Sequence, residues 1–577
     1  PACGSGAFPM GILHKLVHTL HKLDPKNEMW KQRQIEKASA IDDTTSREVA
    51  IEAIEEAFEN NELDYGRKLY LIENCIYGVD IQPIAVQISK LRFFISLIVE
   101  QKTNPNKENL GVRPLPNLET KFVAANTLVE LEKENANLFT NPEIDRKKEQ
   151  LKKVRHEYFE ARTPKRKENC RNKDKQLRDE LAELLVTNHD LQPTTAKKIV
   201  AWNPYDQNTY ASFFDTEWMF GLKNGFDVVI GNPPYVSQKG AEDNPNISYD
   251  EREYYRKTYE IFKGIKAAGG TKINLFGVWT EKGLRLLKGK GQFTMIVHKN
   301  ILKVASYKTL RKLILDRYSL AEIVDMRSDA FSGITAETII IRITTKNSEQ
   351  SFKIKILDSD KAISDFPYKY FNQNSFITNH DYIFNIYEIP FLRKLQNSLD
   401  FIPLEEAVDI VAFGLDTINN KKYFTESKIN KDYKPAVMGR HISKWIPKTH
   451  GYVFYNQSVL SRAGKPEVFE TSEKIIMQRI SSNLIACYDK HKLYCFNSTN
   501  ILVNPKDKYK IKFLAALLNS SLLNFYYRKT FSLDADVTVN VTVGYLSKLI
   551  IPKLKSFKSQ TPFINIVNYI ITKKENG

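Results

Sequence analysis

Residues 71–99 read LIENCIYGVDIQPIAVQISKLRFFISLIV, and this stretch decides the class of the fold. A short apolar run ends at the acidic residue Asp80, and after it apolar side chains recur at helical spacing. Residues 120–130, TKFVAANTLVE, again give an apolar strand with a polar end. Because strands alternate with helices along the chain, we expect an α/β domain with a largely parallel sheet.

The length and net charge of the chain limit the classes of protein to which it can belong. The chain has 577 residues, which is too many for one hydrophobic core and predicts two or three domains. A net charge of +17 favours a polyanionic partner such as nucleic acid, although a solvated basic surface would give the same value. No apolar run approaches the roughly 20 residues that span a bilayer, so no membrane partner is expected. The five cysteines are mostly far apart, which indicates a reducing compartment.

Two polar segments interrupt the α/β pattern, and we interpret both as helical insertions. Residues 24–66 are polar and favour helix. Residues 131–200 form a charged run that predicts a helical hairpin with its break near Thr163, in contact either with nucleic acid or with solvent alone. Short alternating strands and many aromatic residues follow the α/β pattern. The sequence therefore predicts an α/β domain over residues 1–365 and a β-rich domain over residues 366–577.

A glycine-rich loop, PACGSGAF, precedes the first helix-spaced segment. Ligands of an open parallel sheet bind at the carboxyl ends of its strands. Gly4 and Gly6 would let the loop backbone approach a ligand, and Asp80 could accept hydrogen bonds from ribose hydroxyls. No Gly-Lys-Ser/Thr follows, so the loop suits an adenosine with an amino-acid tail better than ATP. Because the chain starts within this pattern and without Met, we expect it to be a fragment.

Residues 226–236, FDVVIGNPPYV, end a buried strand with an amide, two prolines and an aromatic ring. An exocyclic amine of a nucleobase is a poor nucleophile because its lone pair is delocalised into the ring. The Asn232 side-chain oxygen and the Pro233 carbonyl could accept both N–H groups and so localise that lone pair. Pro233 and Pro234 hold the carbonyl rigidly, and Tyr235 offers a flat face to a base rotated out of a duplex. These four residues are the predicted catalytic corner.

The chain resembles the gamma-class adenine-N6 DNA methyltransferases, including the methyltransferase parts of type IIG restriction-modification enzymes. The resemblance is carried in order by PACGSGAF, GVDIQP, AANTL, FDVVIGNPPY, INLFGVWTEKGLRLLKGKGQFTMIV and DAFSGITAETIIIRI. It implies a Rossmann-like S-adenosylmethionine-dependent methyltransferase sheet with helical insertions. A C-terminal mixed, β-rich target-recognition domain of the TaqI type would follow. The implied reaction moves a methyl group from S-adenosylmethionine to N6 of a flipped adenine in double-stranded DNA, in the cytoplasm of a bacterium or archaeon.

The resemblance also assigns residues to the cofactor and the base. Asn126 falls, with Thr127, where the family contacts the cofactor adenine and commonly has Asp. Trp279 stands where the family usually has Phe, and Phe331 would cover the flipped base opposite Tyr235. The implied cofactor-binding residues are Pro1, Ala2, Cys3, Gly4, Ser5, Gly6, Asp80, Ile81, Asn126, Thr127 and Trp279.

The C-terminal region offers candidate DNA contacts and no predicted metal site. The basic residues in its aromatic-rich strands or turns that could contact DNA are Arg440, Lys444 and Arg479. Each of them taken singly is also explained as a surface charge. Cys487, His491 and Cys495 are evenly spaced, but structural zinc needs four ligands. We interpret their segment as a hairpin with a polar tip.

Two further classes of function stay open at this stage. The same amide corner serves cytosine-N4 DNA methyltransferases and protein-glutamine methyltransferases. Alternatively, a non-catalytic DNA-binding subunit could retain the fold. Motif order and the basic C-terminal region favour the adenine enzyme over the cytosine-N4 and protein-glutamine enzymes. The intact amide corner favours it over a non-catalytic subunit. The family places any nuclease, fused or separate, upstream of the glycine-rich loop.

Overall fold

The computed structural model places a strand at Gly78–Asp80 and a helix at Pro83–Ile98, as the pattern of residues 71–99 predicts. Pro83 occupies the first turn of this helix, where its missing N–H is not needed. The structure describes residues 1–39, 47–48, 51, 55, 63–101, 103, 105–106, 108–132, 141–188, 191–235, 247–263, 275–327, 337–346, 351–356, 367–377, 380–386, 390–396, 398–412, 414–448, 450–506, 508–531 and 539–576.

The chain divides into two compact units. The first contains residues 1–301 and 305–382, and the second contains residues 302–304 and 383–577. The helices and strands of the first unit are α1 Ala7–Leu23, α2 Glu28–Ser39, α3 Leu63–Asn74, β1 Gly78–Asp80, α4 Pro83–Ile98, β2 Phe122–Ala124, α5 Pro142–Glu160, α6 Pro164–Thr187, α7 Pro193–Ala201, α8 Thr216–Phe220, β3 Phe226–Gly231, α9 Tyr249–Thr258, α10 Leu275–Arg285, β4 Leu287–His298, α11 Lys308–Arg317, β5 Tyr318–Arg327, β6 Thr338–Thr345, β7 Ser351–Ile356 and β8 Lys369–Asn372.

The strands of the first unit form two sheets. Strands β1 and β2 pair in parallel, and a bridge between Ala125 and Ala211 lies beside them. The larger sheet has the order β3-β4-β6-β5-β7-β8. Its pairs β3–β4 and β5–β7 are parallel and the other three are antiparallel, so the sheet is mixed and not largely parallel. The short connection between β5 and β6 explains this, because a parallel return requires a longer crossover.

Alternating apolar side chains fix the register of the larger sheet. A one-residue slip would move every one of these side chains to the opposite face. The residues of β4 and β6 that are buried in this way are Phe293, Met295, Val297, Ile339, Ile341 and Ile343. Strand β3 lies at the edge of this sheet and pairs with β4, and this pairing positions the end of β3.

The described part of the charged run, residues 141–188 and 191–200, forms a helical hairpin of α5 and α6 and the further helix α7. Helix α5 ends before Thr163, whose side chain caps α6 by accepting the N–H of Arg166. Between the two helices, Asp174 is fully buried and accepts from Arg155 at 2.8 Å and from Arg178 at 2.7 Å. The hairpin is therefore not a purely solvated element, since part of its charge lies inside the first unit.

The second unit is rich in short strands. Its elements are α12 Pro390–Gln396, β9 Phe401–Pro403, β10 Val408–Ala412, β11 Asp416–Thr417, α13 Asn420–Tyr423, β12 Phe424–Thr425, β13 Tyr433–Val437, β14 Gly451–Phe454, β15 Leu460–Arg462, α14 Pro466–Phe469, β16 Lys474–Gln478, β17 Ile480–Ser481, β18 Ala486–Asp489, β19 Tyr494–Cys495, β20 Thr499–Pro505, α15 Ile511–Asn519, α16 Ser521–Phe531, β21 Val539–Asn540, α17 Val543–Ser547, β22 Ile550–Pro552 and α18 Thr561–Glu575.

Two four-stranded sheets organise the second unit, in the orders β10-β20-β16-β18 and β12-β14-β13-β19. Strands β18 and β19 belong to different sheets, so the predicted hairpin over residues 486–495 is wrong. Asp489 explains the difference, because it is a buried carboxylate paired with Lys474 at 2.6 Å and not a polar tip. It also accepts the backbone N–H groups of His491 and Leu493.

The division between the units lies after Tyr382 and not at residue 366. Strand β8, at Lys369–Asn372, explains this because it pairs with β7 in the sheet of the first unit. Within the described part of the chain, no helix is long and apolar enough to cross a membrane.

Candidate active site at the carboxyl ends of the strands

The first residues of the chain lie between the ends of β1 and β3. The Cys3 N–H donates a hydrogen bond to the Val79 carbonyl at 2.9 Å. On the other side, a Cβ atom added to Gly231 would lie 2.9 Å from the Pro1 carbonyl oxygen. The loop thus links the ends of two strands from different sheets. Burial raises the pKa of the Cys3 thiol to about 11, so this side chain is neutral at pH 7.

Gly6 lets the loop turn into helix α1. Its φ is 87°, in the left-handed region, and an added Cβ would lie 2.7 Å from Ser89 Oγ on α4. The Ser89 hydroxyl in turn donates to the Gly4 carbonyl at 3.0 Å. Gly4 also has a positive φ, of 55°, and an added Cβ there would meet nothing within 4 Å. A side chain at Gly6 would therefore collide with α4, whereas the space beside Gly4 is open.

Asp80 joins the loop to β1 and α4. Its Oδ2 accepts the Gly4 N–H at 2.8 Å, and its Oδ1 accepts the Gln82 N–H at 3.0 Å. Each carboxylate oxygen has two lone pairs, so each oxygen can still accept a further donor. Ile81, which follows Asp80, is 47% exposed. The carboxylate is therefore fixed in position and remains able to bind a hydroxyl.

Asn126 and Thr127 follow the neighbouring strand β2. The Ala125 N–H donates to the Asp80 carbonyl at 2.8 Å, which brings Asn126 to the same edge as Asp80. Asn126 Oδ1 accepts the Leu128 N–H at 3.2 Å. Thr127 is 2% exposed, and its Oγ1 has no hydrogen-bond partner among the described residues.

The amide corner follows β3 directly. Asn232 Oδ1 is buried and has no hydrogen-bond partner in the described part of the chain. An unsatisfied buried acceptor usually lowers the stability of the fold by about 1–3 kcal/mol, so its presence requires an explanation. Pro233 and Pro234 donate no N–H that could satisfy it and restrict the backbone beside it. The corner therefore presents an acceptor that is held in place and that no described residue uses.

Tyr235 is held at one end by its hydroxyl. The O–H donates to the Ile296 carbonyl on β4 at 3.0 Å, and the ring is 38% exposed. Its ring centroid lies 6.3 Å from that of Phe276, tilted by 47°. Burial raises the pKa of Tyr235 to about 12, so the hydroxyl keeps its proton and remains a donor at neutral pH.

An aromatic cluster beside Tyr235 was missed by the sequence reasoning. Phe276 packs on Tyr307 at 4.8 Å and lies nearly parallel to the His298 ring at 6.4 Å. Burial lowers the pKa of His298, and its Nδ1 accepts the Asn300 N–H at 3.1 Å. His298 is therefore neutral at pH 7. Its place at the end of β4, the strand after the corner, is the signal that could have found it.

The remaining predicted site residues have different outcomes. Trp279, on α10, is 8% exposed, and its Nε1 has no partner among the described residues. Phe331 lies outside the described residues. The structure thus brings together the loop, Asp80, Asn126 and the corner, and the roles of these residues stay predictions.

The candidate DNA contacts all lie in the second unit. Arg440 is exposed, and its Nε lies 3.1 Å from Nε2 of His441. Lys444 is also exposed, and its Nζ lies 3.5 Å from the Asn519 carbonyl. Arg479 binds the Asn497 backbone carbonyl and side-chain oxygen at 3.2 and 3.1 Å. Arg479 therefore has a structural role, whereas Arg440 and Lys444 present their charge to solvent.

Two family models match the chain. Residues 74–331 match the Eco57I restriction-modification methylase. This range includes the amide corner and the ends of strands β1 to β4. Residues 434–551 match the TaqI-like C-terminal specificity domain. The chain thus contains a region similar to the Eco57I restriction-modification methylases and, after it, a region similar to TaqI-like specificity domains. The Eco57I-type match lies in the first unit, and the TaqI-like match lies in the second.

Curated relatives match this chain over only part of their own length. RM.MjaORFECS2P of Methanocaldococcus jannaschii, whose name describes a type II restriction enzyme and methyltransferase, is 24% identical over 89% of this chain and 47% of the relative. Type II methyltransferase M.BstVI of Geobacillus stearothermophilus is 32% identical over 22% of this chain and 20% of the relative. The chain thus spans about half the length of the first relative.

One solved structure shares the fold. A nuclease-deletion mutant of the Type ISP restriction-modification enzyme LlaGI, in complex with a DNA substrate mimic, has a TM-score of 0.53 at 12% identity. The match covers 99% of this chain and 44% of that one. At this identity the likeness concerns the fold alone.

Replacing Gly6 by Ala tests the turn that closes the loop. We expect Gly6→Ala to lower the midpoint of thermal unfolding of the first unit, because the new Cβ meets Ser89 and φ 87° costs about 1–2 kcal/mol for a residue other than Gly. The control is Gly11→Ala in α1, where an added Cβ meets nothing within 4 Å and a helical Ala stabilises by about 1 kcal/mol. Equal shifts in the two variants would contradict the role of Gly6.

Proposed function

We propose that this chain transfers a methyl group from S-adenosylmethionine to N6 of an adenine that is flipped out of double-stranded DNA. The second unit would choose the DNA site. The first unit would be a Rossmann-like S-adenosylmethionine-dependent methyltransferase domain. The matches to the methylase and specificity-domain models support DNA methylation by a restriction-modification enzyme. The five cysteines are free thiols, which agrees with a cytoplasmic location.

The observation that carries this proposal is the buried Oδ1 of Asn232, which has no hydrogen-bond partner among the residues that the structure describes. An amine N–H is the donor that such an acceptor lacks, and the Pro233 carbonyl next to it can accept a second N–H. A nucleobase amine held by two acceptors becomes pyramidal and localises its lone pair. Because the acceptors are fixed before the substrate arrives, the reaction needs little reorganisation.

The residues at the strand ends fit S-adenosylmethionine. Asp80 can accept ribose hydroxyls while its loop hydrogen bonds persist. The open space beside Gly4 gives the amino-acid tail room to approach the backbone. Thr127 Oγ1 and Trp279 Nε1, which lack a hydrogen-bond partner within the described ranges, could each bind a polar atom of the cofactor. The orphaned groups and the open backbone thus support a polar ligand of this class.

The chemistry divides between the cofactor and the protein. S-adenosylmethionine supplies a methyl group on a positively charged sulfur. Asn232 and Pro233 would hold the amine and localise its lone pair toward the methyl group that S-adenosylmethionine would supply. The amine then loses one proton to solvent. Tyr235 holds the base by stacking, since the Ile296 carbonyl fixes its ring.

The second unit supplies the proposed site recognition. Exposed basic residues such as Arg440 and Lys444 suit phosphate contacts, which fix the position of a protein on DNA. The net charge of +17 favours binding of a polyanion. Cytosine N4 is an amine of the same kind and is the alternative target of the same corner.

We expect Asn232→Ala to slow methyl transfer by about 10²–10³-fold, because it removes a preorganised acceptor of the transition state. Affinity for S-adenosylmethionine should change little, since the amide contacts the amine and not the cofactor. Single-turnover transfer of labelled methyl to DNA measures the first effect, and calorimetry measures the second. The matched control is Asn208→Ala, at an exposed asparagine.

A near-normal rate in Asn232→Ala would remove the amide from the mechanism. Nucleoside analysis of the labelled DNA identifies the modified base. Label on cytosine N4 would replace the adenine assignment by the cytosine alternative, and label on neither base would contradict DNA methylation altogether.

Tyr235 variants test capture of the base. Tyr235→Ala should weaken capture by about 1–3 kcal/mol, the usual value of one stacked base, whereas Tyr235→Phe keeps the ring and should lose much less. A 2-aminopurine at the target position reports flipping by an increase in fluorescence. Equal fluorescence with wild-type protein and Tyr235→Ala would contradict the stacking role.

Arg440→Ala and Lys444→Ala test the DNA contacts. If each side chain neutralises one phosphate, each variant should lower the slope of log K against log salt by about 1. Lys558→Ala, at an exposed lysine of the same unit, serves as the control. Binding measured by fluorescence anisotropy across a salt series gives the slopes. Unchanged slopes would move the contacts to other residues.

A further inference from the structure

Three side chains that could bind a metal ion meet outside the strand-end site. Glu73 lies in the last turn of α3, and His156 and Glu160 lie one turn apart on α5. One potential ligand atom from each lies within 4.8 Å of the other two. The His156 Nδ1 and Glu73 Oε1 atoms are 2.6 Å apart. Elements distant in sequence thus bring one imidazole and two carboxylates together.

The backbone explains why these side chains converge. Residues four apart lie on the same face of a helix, so His156 and Glu160 point the same way. Glu73 approaches from the other helix with its side chain only 13% exposed, whereas His156 is 60% exposed. The group is therefore anchored on its inner side and open to ions from solvent on its outer side.

We propose that Glu73, His156 and Glu160 bind a divalent transition-metal ion of the Zn²⁺ type. An imidazole nitrogen with two carboxylate oxygens suits such an ion, while Mg²⁺ and Ca²⁺ prefer oxygen ligands alone. The two carboxylates balance the charge of the ion. A cavity of about 1000 Å³ is lined by Glu73 and His156, so a water molecule has room to complete a tetrahedral site.

The bound ion would fasten α5 to α3. Its three ligands come from both helices, so binding would stabilise the folded arrangement by mass action. Lys121 lines the same cavity, and its positive charge would oppose the ion. Without a metal, the direct contact within this group would be the one between His156 Nδ1 and Glu73 Oε1. If the site binds a metal, added metal will change the stability of the protein, and if it does not, the stability will stay the same.

The test uses the full chain after removal of metal by a chelator. Calorimetry with Zn²⁺ should show one site, and Co²⁺ should give the visible absorption bands of a tetrahedral ion. His156→Ala should weaken Zn²⁺ binding by at least about 100-fold, since loss of an outer-shell partner alone costs about 10–100-fold. Glu160→Gln should also weaken it. Added Zn²⁺ should raise the thermal midpoint of the wild type and not that of His156→Ala.

Two controls separate this site from adventitious binding. His14→Ala changes an exposed histidine on α1, and Cys75→Ser removes an exposed thiol near Glu73. Both variants should bind Zn²⁺ as the wild type does. The proposal is overturned if the wild type binds no Zn²⁺, if His156→Ala binds it equally well, if either control loses binding, or if Mg²⁺ binds as tightly. All readouts are independent of methyl transfer.

Discussion

The carboxylate of Asp80 is the constraint on which the site geometry depends. One oxygen holds the Gly4 N–H, the other holds the Gln82 N–H at the start of α4, and the backbone carbonyl holds the Ala125 N–H. A single residue therefore fixes the glycine-rich loop, the helix entry and the neighbouring strand. The loop then reaches across to β3, where Gly231 leaves only enough room for the Pro1 carbonyl. This contact helps to fix the position of the amide corner.

The buried ions of the helical hairpin support the same site from a distance. Arg155 donates to the carbonyls of Trp218 and Met219 as well as to Asp174. Its guanidinium also lies 5.6 Å from the centre of the Trp202 ring. Desolvating such charges is expensive, and removing one partner of a buried pair costs about 3–5 kcal/mol. The segment from residue 202 to residue 220 is thereby held in place, and its Ala211 carbonyl accepts the Asn126 N–H.

Sequence patterns predicted those features that depend on neighbouring residues. The strand ending at Asp80, the proline-capped helix after it and the break at Thr163 are local, because periodicity and capping determine them. Features set by distant residues were missed. The antiparallel insertion of β6 between β4 and β5 and the burial of Asp489 against Lys474 depend on tertiary pairing. His298 was missed for the same reason, because it lies near the amide corner only through the pairing of β4 with β3.

The amide corner also has an electrostatic requirement, which its surroundings satisfy. Burial lowers the pKa of His298 and raises those of Tyr235 and Cys3, so these three side chains are uncharged at pH 7. A protonated histidine here would repel the cationic methyl donor that we propose. It would also compete with the substrate amine for acceptors. A neutral, partly desolvated setting instead strengthens the bond that Asn232 Oδ1 can offer to an amine, because fewer water dipoles screen it. In the reaction that we propose, the aromatic cluster would keep charge away from the corner, and the burial that keeps His298 neutral is part of the same arrangement.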